Sequence, residues 1–263
     1  MAENTKIEWC DHSFNGWYGC TKVSPACKNC YAEKMAKRFL NIEWGKGKPR
    51  KKTSDEYWAK PIKWNEQAQN RGIRYKVFAN SMSDVFDEEV PDRWRTELFK
   101  LIKATPNLDW LILTKRIKEA QAYYKENPKC YHISNIWLGA TICNQYEAYR
   151  LIPTLITIPT AKSFISIEPL LEHISLKWSW IDKSEGYREY IGKYVDWVIV
   201  GGETGAKART INPDWVRSLK NQCQIANAPF FFKQWGKYQK GALLDGKEYK
   251  EFPKLINKGE CYE

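Results

Sequence analysis

Residues 108–116 have the sequence Leu108-Asp109-Trp110-Leu111-Ile112-Leu113-Thr114-Lys115-Arg116, an apolar run that ends in polar residues. A short run that is apolar almost throughout is typical of a strand buried on both faces of a parallel sheet. A helical pattern follows directly, from Ile117 to Tyr124. The stretch therefore predicts one strand followed by one helix.

The same unit recurs along the chain. Five more apolar runs, and one weaker run near the N-terminus, alternate with helical patterns, so we expect further strands at residues 12–18, 75–80, 136–141, 162–168, 195–201 and 229–233. Short apolar strands that alternate with helices form parallel sheets with right-handed crossovers. We therefore predict an α/β fold, a partial or full parallel (β/α) barrel of about six to eight strands.

The domain organisation follows from this pattern. The chain has 263 residues, and we expect residues 1–263 to form one barrel domain, because this length suits a single α/β barrel. We expect a basic-aromatic insertion at about 42–74 and a C-terminal tail at about 236–263 that packs across the barrel. Residues 177–194 form another expected insertion, before the sixth strand.

The composition favours an anionic partner. Lys and Arg number 42 against 31 Asp and Glu, giving a formal net charge of +11, and nucleic acid or a nucleotide is the commonest partner of so basic a protein. In the insertion, basic residues such as Lys46 and Arg50 alternate with Trp44, Trp58 and other rings. This mixture predicts a contact with single-stranded nucleic acid. A solvated loop with a few anchoring rings is the alternative.

The sequence also indicates a compartment. No apolar run approaches the ~20 residues of a membrane span, and the N-terminus lacks the apolar region of a signal peptide. We therefore expect a cytoplasmic protein with no membrane contact. Its eight cysteines are then not expected to form disulfides. The isolated ones are Cys10, Cys130, Cys143, Cys223 and Cys261.

Polar residues follow nearly every predicted strand. These residues are Asn80, Ser81 and Asp84; Thr114, Lys115 and Arg116; Thr141; Glu168; Gly201, Gly202 and Glu203; and Lys233, Gln234 and Trp235. In a barrel these strand ends converge on one mouth, where active sites lie. Helix capping, surface turns and edge packing are the alternatives for individual members.

The remaining cysteines, Cys20, Cys27 and Cys30, form a close trio with spacings of six and two residues and a Ser24-Pro25 turn between them. We interpret the trio as the cradle of a [4Fe–4S] cluster, in which three thiolates leave one iron open to a substrate or cofactor. A structural zinc site is the alternative, with Cys10 or His12 as fourth ligand. A thiol redox pair would leave Cys20 unexplained.

The run from Gly19 to Glu33 resembles the signature of a phage-associated three-cysteine-motif family of radical-SAM-like proteins, where SAM is S-adenosylmethionine. Further segments similar to that family are residues 80–84, 113–116, 166–171, 196–203 and 229–236. The resemblance implies a radical SAM barrel that holds a [4Fe–4S] cluster on Cys20, Cys27 and Cys30. Two features differ from the common pattern: the first cysteine gap is longer, and Gly-Gly-Glu follows a late strand.

The resemblance also implies roles at the barrel mouth. Glu168 and Lys115 would be catalytic. The residues that would bind the cofactor are Asn80, Ser81, Thr114, Thr141, Glu168, Gly201, Gly202 and Glu203. The residues that would bind the substrate are Asp84, Arg116, Lys233, Gln234 and Trp235. SAM would be cleaved to a 5′-deoxyadenosyl radical that acts on a nucleobase, nucleotide or nucleic acid, and a reductant protein would supply the cluster with electrons.

Two other classes of protein remain open at this point. A non-catalytic nucleic-acid-binding protein with a structural zinc or iron–sulfur site would explain the charge and the rings. A barrel hydrolase with Glu168 and Glu203 as its acid and base would explain the polar mouth, but not the cysteines.

Overall fold

The structure of the chain is a computed structural model that describes residues 3–178, 189–190, 194–237 and 241–254. Cys261 lies outside the described residues, as do parts of the predicted insertion at 177–194 and of the predicted tail. None of the helices in the described ranges combines the length and the apolar character that crossing a bilayer requires.

The described strands are β1 (His12–Phe14), β2 (Trp17–Tyr18), β3 (Lys51–Lys52), β4 (Tyr75–Ala79), β5 (Leu108–Thr114), β6 (Ile136–Thr141), β7 (Lys162–Ile167), β8 (Lys177–Trp178), β9 (Glu189–Tyr190), β10 (Trp197–Gly201), β11 (Phe230–Gln234), β12 (Leu243–Leu244) and β13 (Lys247–Glu248). The α-helices are α1 (Tyr31–Met35), α2 (Asp55–Trp58), α3 (Lys60–Arg71), α4 (Asp92–Ala104), α5 (Ile117–Glu126), α6 (Gln145–Ile156) and α7 (Pro213–Ile225). A π-helical turn (Ala36–Leu40) continues α1, and short 3-10 helices cover Pro25–Cys27 and Pro128–His132.

Seven strands form one sheet in the order β1-β4-β5-β6-β7-β10-β11, and every neighbouring pair is parallel. Helices separate most of these strands along the chain, and the sheet curls into a half-barrel. The predicted α/β class and parallel barrel of about six to eight strands are confirmed, and of the partial and full forms that the sequence left open, the structure has the partial one. The sequential order arises because each crossover returns to the next position in the same sheet.

The first strand is shorter than predicted. It ends at Phe14, and Trp17–Tyr18 pairs instead with β3 in a separate antiparallel ladder. The chain leaves the sheet at Asn15 and Gly16, where the Gly16 N–H donates to Asn80 Oδ1 at 2.9 Å and Asn15 Oδ1 accepts from the Met82 N–H at 2.8 Å. These bonds replace the sheet pairing that a longer strand would have made.

The two faces of the sheet pack differently. The outer face packs against the helices, and the inner face is filled by large side chains, namely Trp9, Phe78, Leu111, Trp137, Phe164, Trp197, Ile199 and Phe231. Gly139 leaves space for the Phe164 ring, since a Cβ there would overlap it. These side chains fill the interior of the half-barrel between the amino-terminal parts of the strands.

Residues from the N-terminal and C-terminal segments that the structure describes meet beside β11. The Phe232 N–H donates to the Tyr249 carbonyl at 2.8 Å, which covers the edge of that strand. Lys250 forms an ion pair with Glu8 of the N-terminal segment. The edge of β11 is therefore paired with the chain itself, which blocks strand addition at that edge.

The aromatic residues of 42–74 mostly serve packing. Trp64 on α3 is 2% exposed and stacks on His12 with ring centroids 4.5 Å apart. Tyr57 stacks on Phe14 at 5.3 Å, and Trp58 packs edge-on against the same ring. These three rings anchor the segment to the barrel, as the alternative expected of a few rings, but they lie on α2 and α3 rather than in a loop.

Candidate functional site

A cavity of about 380 Å³ lies at the carboxyl ends of the parallel strands, within the size range of small-molecule sites. It is lined by most residues that the sequence singled out, namely Cys20, Cys27, Cys30, Asn80, Ser81, Asp84, Lys115, Arg116, Thr141, Glu168, Gly202, Glu203, Lys233 and Gln234. The strands therefore bring six polar clusters and the cysteine trio to one place.

Thr114, Gly201 and Trp235 do not line the cavity but support it. The Thr114 hydroxyl is buried and donates to Asp84 at 2.7 Å. Trp235 is buried and donates its indole N–H to the Leu243 carbonyl at 2.9 Å. Gly201 makes room for Glu168, because an added Cβ would lie 2.8 Å from Glu168 Oε1.

Sequence reasoning missed several lining residues, among them Trp9, Trp44, Phe78, Leu113 and Ser166. Phe78 on β4, Leu113 on β5 and Ser166 on β7 each lie two positions before a predicted site residue. Alternate residues of a strand share a face, so this spacing could have found them. Nothing in the sequence near Trp9 or Trp44 marked those two rings as cavity residues.

The cysteine loop has a defined local geometry. Pro25 begins the 3-10 helix, and Ser24 caps it by accepting the Ala26 N–H at 3.1 Å. A proline with a hydroxyl cap before it is favoured at a helix start. Cys27 is buried, whereas Cys20 and Cys30 are partly exposed. The turn in the sequence thus folds the trio onto one wall of the cavity.

Arg116 contacts the first cysteine directly. Its Nη1 donates to Cys20 Sγ at 3.5 Å, and its Nη2 donates to the Thr21 carbonyl at 2.7 Å. Asp84 holds the same guanidinium at 3.4 Å. Burial raises the pKa of the Cys20 thiol to about 12, and Arg116 opposes that shift. A metal centre would have to displace this proton, and Arg116 would then donate to a thiolate.

A second arginine, Arg50, also bonds to Thr21. Arg50 is buried and forms ion pairs with Asp87 at 2.7 Å and Glu89 at 2.8 Å. It also donates to Thr21 Oγ1 at 2.7 Å. Thr21, next to Cys20, is therefore held by two arginines, and those arginines are held by buried carboxylates. Arg116, expected to bind substrate, already has protein partners.

Glu203 is tied to the cysteine loop. Its carboxylate accepts from the Asn29 amide at 2.8 Å and from Arg209 Nη2 at 2.6 Å. Burial acts to raise the pKa of Glu203, but the hydrogen bonds from Arg209 and Asn29 outweigh it and lower the pKa to about 2. Arg209 also donates to the Pro25 carbonyl at 3.2 Å. Both carboxylate oxygens thus have protein partners.

Glu168 and Lys115 face the cavity from the ends of β7 and β5, which β6 separates in the sheet. Glu168 forms an ion pair with Lys233 at 2.9 Å and accepts from the Ser166 hydroxyl at 3.1 Å. The Lys115 N–H donates to Asp84 at 3.0 Å. Its ammonium has no ion-pair partner among the described residues and lies within electrostatic reach of Cys30. The cavity therefore carries an unneutralised cation beside the cysteines.

Two cavity side chains have unused hydrogen-bonding atoms. Asn80 Nδ2 and Thr141 Oγ1 are buried and lack a hydrogen-bond partner among the described residues. Buried polar atoms without partners are costly in a folded protein. Both atoms belong to residues that line the cavity, so a bound polar molecule could satisfy them.

The donor set suits an iron–sulfur cluster better than zinc. Among the described residues, no group of three or more His, Cys, Asp or Glu side chains could hold one metal ion. His12 stacks on Trp64, and Cys10 donates to the Ile7 carbonyl at 3.7 Å, so neither joins the trio. A four-iron cluster takes each thiolate at a separate iron. Three thiols that line one cavity are a donor set that such a cluster takes.

Comparison with known proteins gives a family and distant structural relatives. Residues 4–253 match the family described as Protein of unknown function (DUF5131), and no curated protein matches the sequence. Spore photoproduct lyase with bound AdoMet and dinucleoside spore photoproduct aligns with a TM-score of 0.49 and 12% identity. The same lyase complexed with dinucleoside spore photoproduct gives 0.48 and 11%. Each alignment covers 92% of this chain and 70% of the lyase chain.

Proposed function

This chain belongs to a family of proteins of unknown function (DUF5131), so its activity has to be inferred from its own site, and we propose that it is an iron–sulfur enzyme of the radical SAM type. Cys20, Cys27 and Cys30 would hold a [4Fe–4S] cluster, and SAM would bind beside it. The substrate would be a nucleobase, nucleotide or nucleic acid.

One observation carries the proposal. The three thiols line the same cavity as polar side chains from the ends of β4, β5, β6, β7, β10 and β11. Three thiolates would leave one iron of such a cluster without a protein ligand, open to a molecule in the cavity that the cysteines line. When bound, the reduced cluster would supply the electron that splits SAM into methionine and a 5′-deoxyadenosyl radical, which takes a hydrogen atom from the substrate.

The chain's own residues would orient SAM. Lys115, whose ammonium has no ion-pair partner among the described residues, would bind the SAM carboxylate. Glu168 would accept from the SAM ammonium, with Lys233 and Ser166 holding its carboxylate in place. Asn80 Nδ2 and Thr141 Oγ1 would bond to the adenosine part, which would satisfy two atoms that lack partners.

The other residues would shape the site. Glu203, Asp84 and Arg116 would position the cysteine loop, because each is already bonded within the protein. Lys233 and Gln234 would face the substrate, and the net charge of +11 favours an anionic one. A reductant protein would deliver the electron. The phage association and the cytoplasmic location implied by the sequence stay predictions.

Anaerobic reconstitution with iron and sulfide tests the proposal. We expect iron and acid-labile sulfide in equal amounts, visible absorbance, and formation of 5′-deoxyadenosine from SAM and dithionite. Single alanine variants of Cys20, Cys27 and Cys30 should lose both the cluster and SAM cleavage. Cys130→Ala, a buried cysteine that does not line the cavity, should keep both. Bound zinc without sulfide would reject the proposal.

The surroundings of Glu203 and Glu168 disfavour the alternative of a barrel hydrolase. A general acid has to carry a proton near neutral pH, whereas the pKa of Glu203 is lowered to about 2. Glu168 is paired with Lys233. A substrate hydrolysis unaffected by removal of all three cysteines would restore that alternative.

A further inference from the structure

A basic surface adjoins the cysteine loop outside the cavity. We call it the basic rim; it consists of the exposed residues Lys28, Lys34, Lys37, Arg38, Lys46 and Lys207. Two contacts join its parts. The Asn29 amide donates to the Lys207 carbonyl at 2.8 Å, and a Cβ added to Gly205 would lie 3.4 Å from Lys34 Nζ. The cysteine loop, α1 and the loop after β10 therefore share one surface.

The rim keeps its positive charge. The two acidic residues of the same stretch already have lysine partners, since Glu33 pairs with Lys22 at 2.7 Å and Glu43 with Lys48 at 2.6 Å. The remaining cations are exposed. A surface of this kind attracts a polyanion and makes its binding depend on salt.

An exposed ring lies on the same segment. Phe39 is 65% exposed, and the Arg38 guanidinium lies 5.1 Å from the centroid of its ring. Ala32 and Ala36 pack inward with Met82 and Ile42 in a small buried cluster, so the other face of the segment is directed outward. The ring therefore lies beside the cations, where nucleic-acid bases can stack on it.

Two further rings continue this surface into the cavity. Tyr31, at the start of α1, lines the cavity and donates to the Ser81 carbonyl at 3.0 Å. Trp44 also lines it, and its indole N–H has no hydrogen-bond partner among the described residues. Tyr31 begins α1, and Phe39 lies in the π-helical turn that continues it. The segment that carries the exposed ring and the cations therefore also reaches the cavity.

We propose that the basic rim and Phe39 bind a single-stranded nucleic acid, from which one unstacked base enters the cavity. A base inside a duplex could not reach the cysteine wall without leaving its stack, and Phe39 suits an unpaired base. What happens to the base in the cavity rests on the proposed radical SAM function, whereas the binding step does not. An acidic electron-donor protein is the other anionic partner that the test distinguishes.

Fluorescence anisotropy with labelled oligothymidylate and oligouridylate of about 15 nucleotides tests the binding step, and the two probes distinguish DNA from RNA. We expect Phe39→Ala and Phe39→Leu to weaken binding of at least one probe about tenfold, and Phe39→Tyr to bind as the unmodified chain does. Replacing Lys37 and Arg38 by alanine should lower the salt slope by about 0.7 for each phosphate that the variant no longer neutralises.

The chain offers a matched control. Tyr146 is 63% exposed, Arg150 lies 5.1 Å from its ring centroid, and Tyr146 does not line the cavity. Tyr146→Ala should leave binding unchanged. Equal weakening in Tyr146→Ala and Phe39→Ala, tighter binding of a duplex, or an effect of Phe39→Ala only on reduction by an acidic flavin protein would overturn the inference. Oligonucleotide binding without SAM cleavage would reject the proposed function alone; SAM cleavage without oligonucleotide binding would reject this inference alone.

Discussion

The Asn29 side chain donates a hydrogen bond of 2.8 Å to Glu203, although 174 residues separate the two in the sequence. Asn29 lies between Cys27 and Cys30, and Glu203 follows β10. Arg209 bonds to the same carboxylate and to the Pro25 carbonyl. The glutamate of the Gly-Gly-Glu turn therefore anchors the cysteine loop to the opposite part of the half-barrel, and its carboxylate is already occupied.

Glu203→Gln should weaken the fold at neutral pH. The folded-state pKa, about 2, lies below the ordinary value of 4.5, so the carboxylate contributes stability above pH 4.5 that is lost as the pH falls toward 2. We expect a loss of about 2 kcal/mol at pH 7, smaller at pH ~3.5. Urea unfolding at both pH values measures it. Glu88→Gln, at an exposed position, is the control; a loss independent of pH would contradict the assignment.

Arg116→Gln should make the reduction potential of a reconstituted cluster more negative. The substitution removes a positive charge and an N–H donor 3.5 Å from Cys20 Sγ. The charge and the donor each stabilise the reduced cluster, which is the more negative form, so their loss disfavours reduction. Arg116→Lys keeps the charge but lacks the planar guanidinium with its fixed N–H donors. The cluster potential in this variant should therefore lie between those of the unmodified protein and Arg116→Gln. A redox titration followed by electron paramagnetic resonance measures this. Arg217→Gln, on the outer helix α7, should not shift the potential, and a wild-type potential in Arg116→Gln would exclude the contact.

Gly201→Ala should disturb Glu168. The added Cβ would lie 2.8 Å from Glu168 Oε1, and we expect a loss of about 1–3 kcal/mol in the free energy of unfolding, with weaker SAM binding. Glu168→Asp shortens the side chain and should recover part of the stability in the double variant. Chemical denaturation of the four proteins in this cycle gives the coupling free energy. Strict additivity would show that the two residues do not compete for space.

Arg50→Met should destabilise the chain strongly. It removes the guanidinium that lies 2.7 Å from the buried Asp87 carboxylate, which then keeps Arg116 alone, at 3.7 Å; breaking a buried pair costs about 3–5 kcal/mol. Arg217 pairs with Asp245 at the surface and is the matched control, since exposed pairs contribute little. Thermal unfolding compares the two variants. Similar unfolding midpoints in both would show that the buried network is not required.

The strand pattern was predictable because it depends on local properties of the chain. Ile136–Thr141 occurs at the predicted bounds, and Leu108–Thr114 lies within the quoted run 108–116, since each run is apolar on both faces and a helix follows. The strand at the N-terminus was predicted too long, because Asn15 and Gly16 bond to Asn80 and Met82, which lie far along the chain. Such partners leave no mark in the local pattern.

The sequence by itself determined the parallel α/β sheet and the convergence of the cysteine trio with the polar strand ends, because hydrophobic periodicity and strand direction fix both. It left open whether the barrel is partial or full, and the structure has a half-barrel of seven strands. Only the tertiary structure decided what each polar residue contacts. It placed Glu203 on Asn29 and Arg209, placed Arg116 on Cys20, and left Lys115 facing the cavity. Charge pairing depends on the distances in space between side chains that are remote in sequence. The sequence alone therefore does not say which charged residues pair.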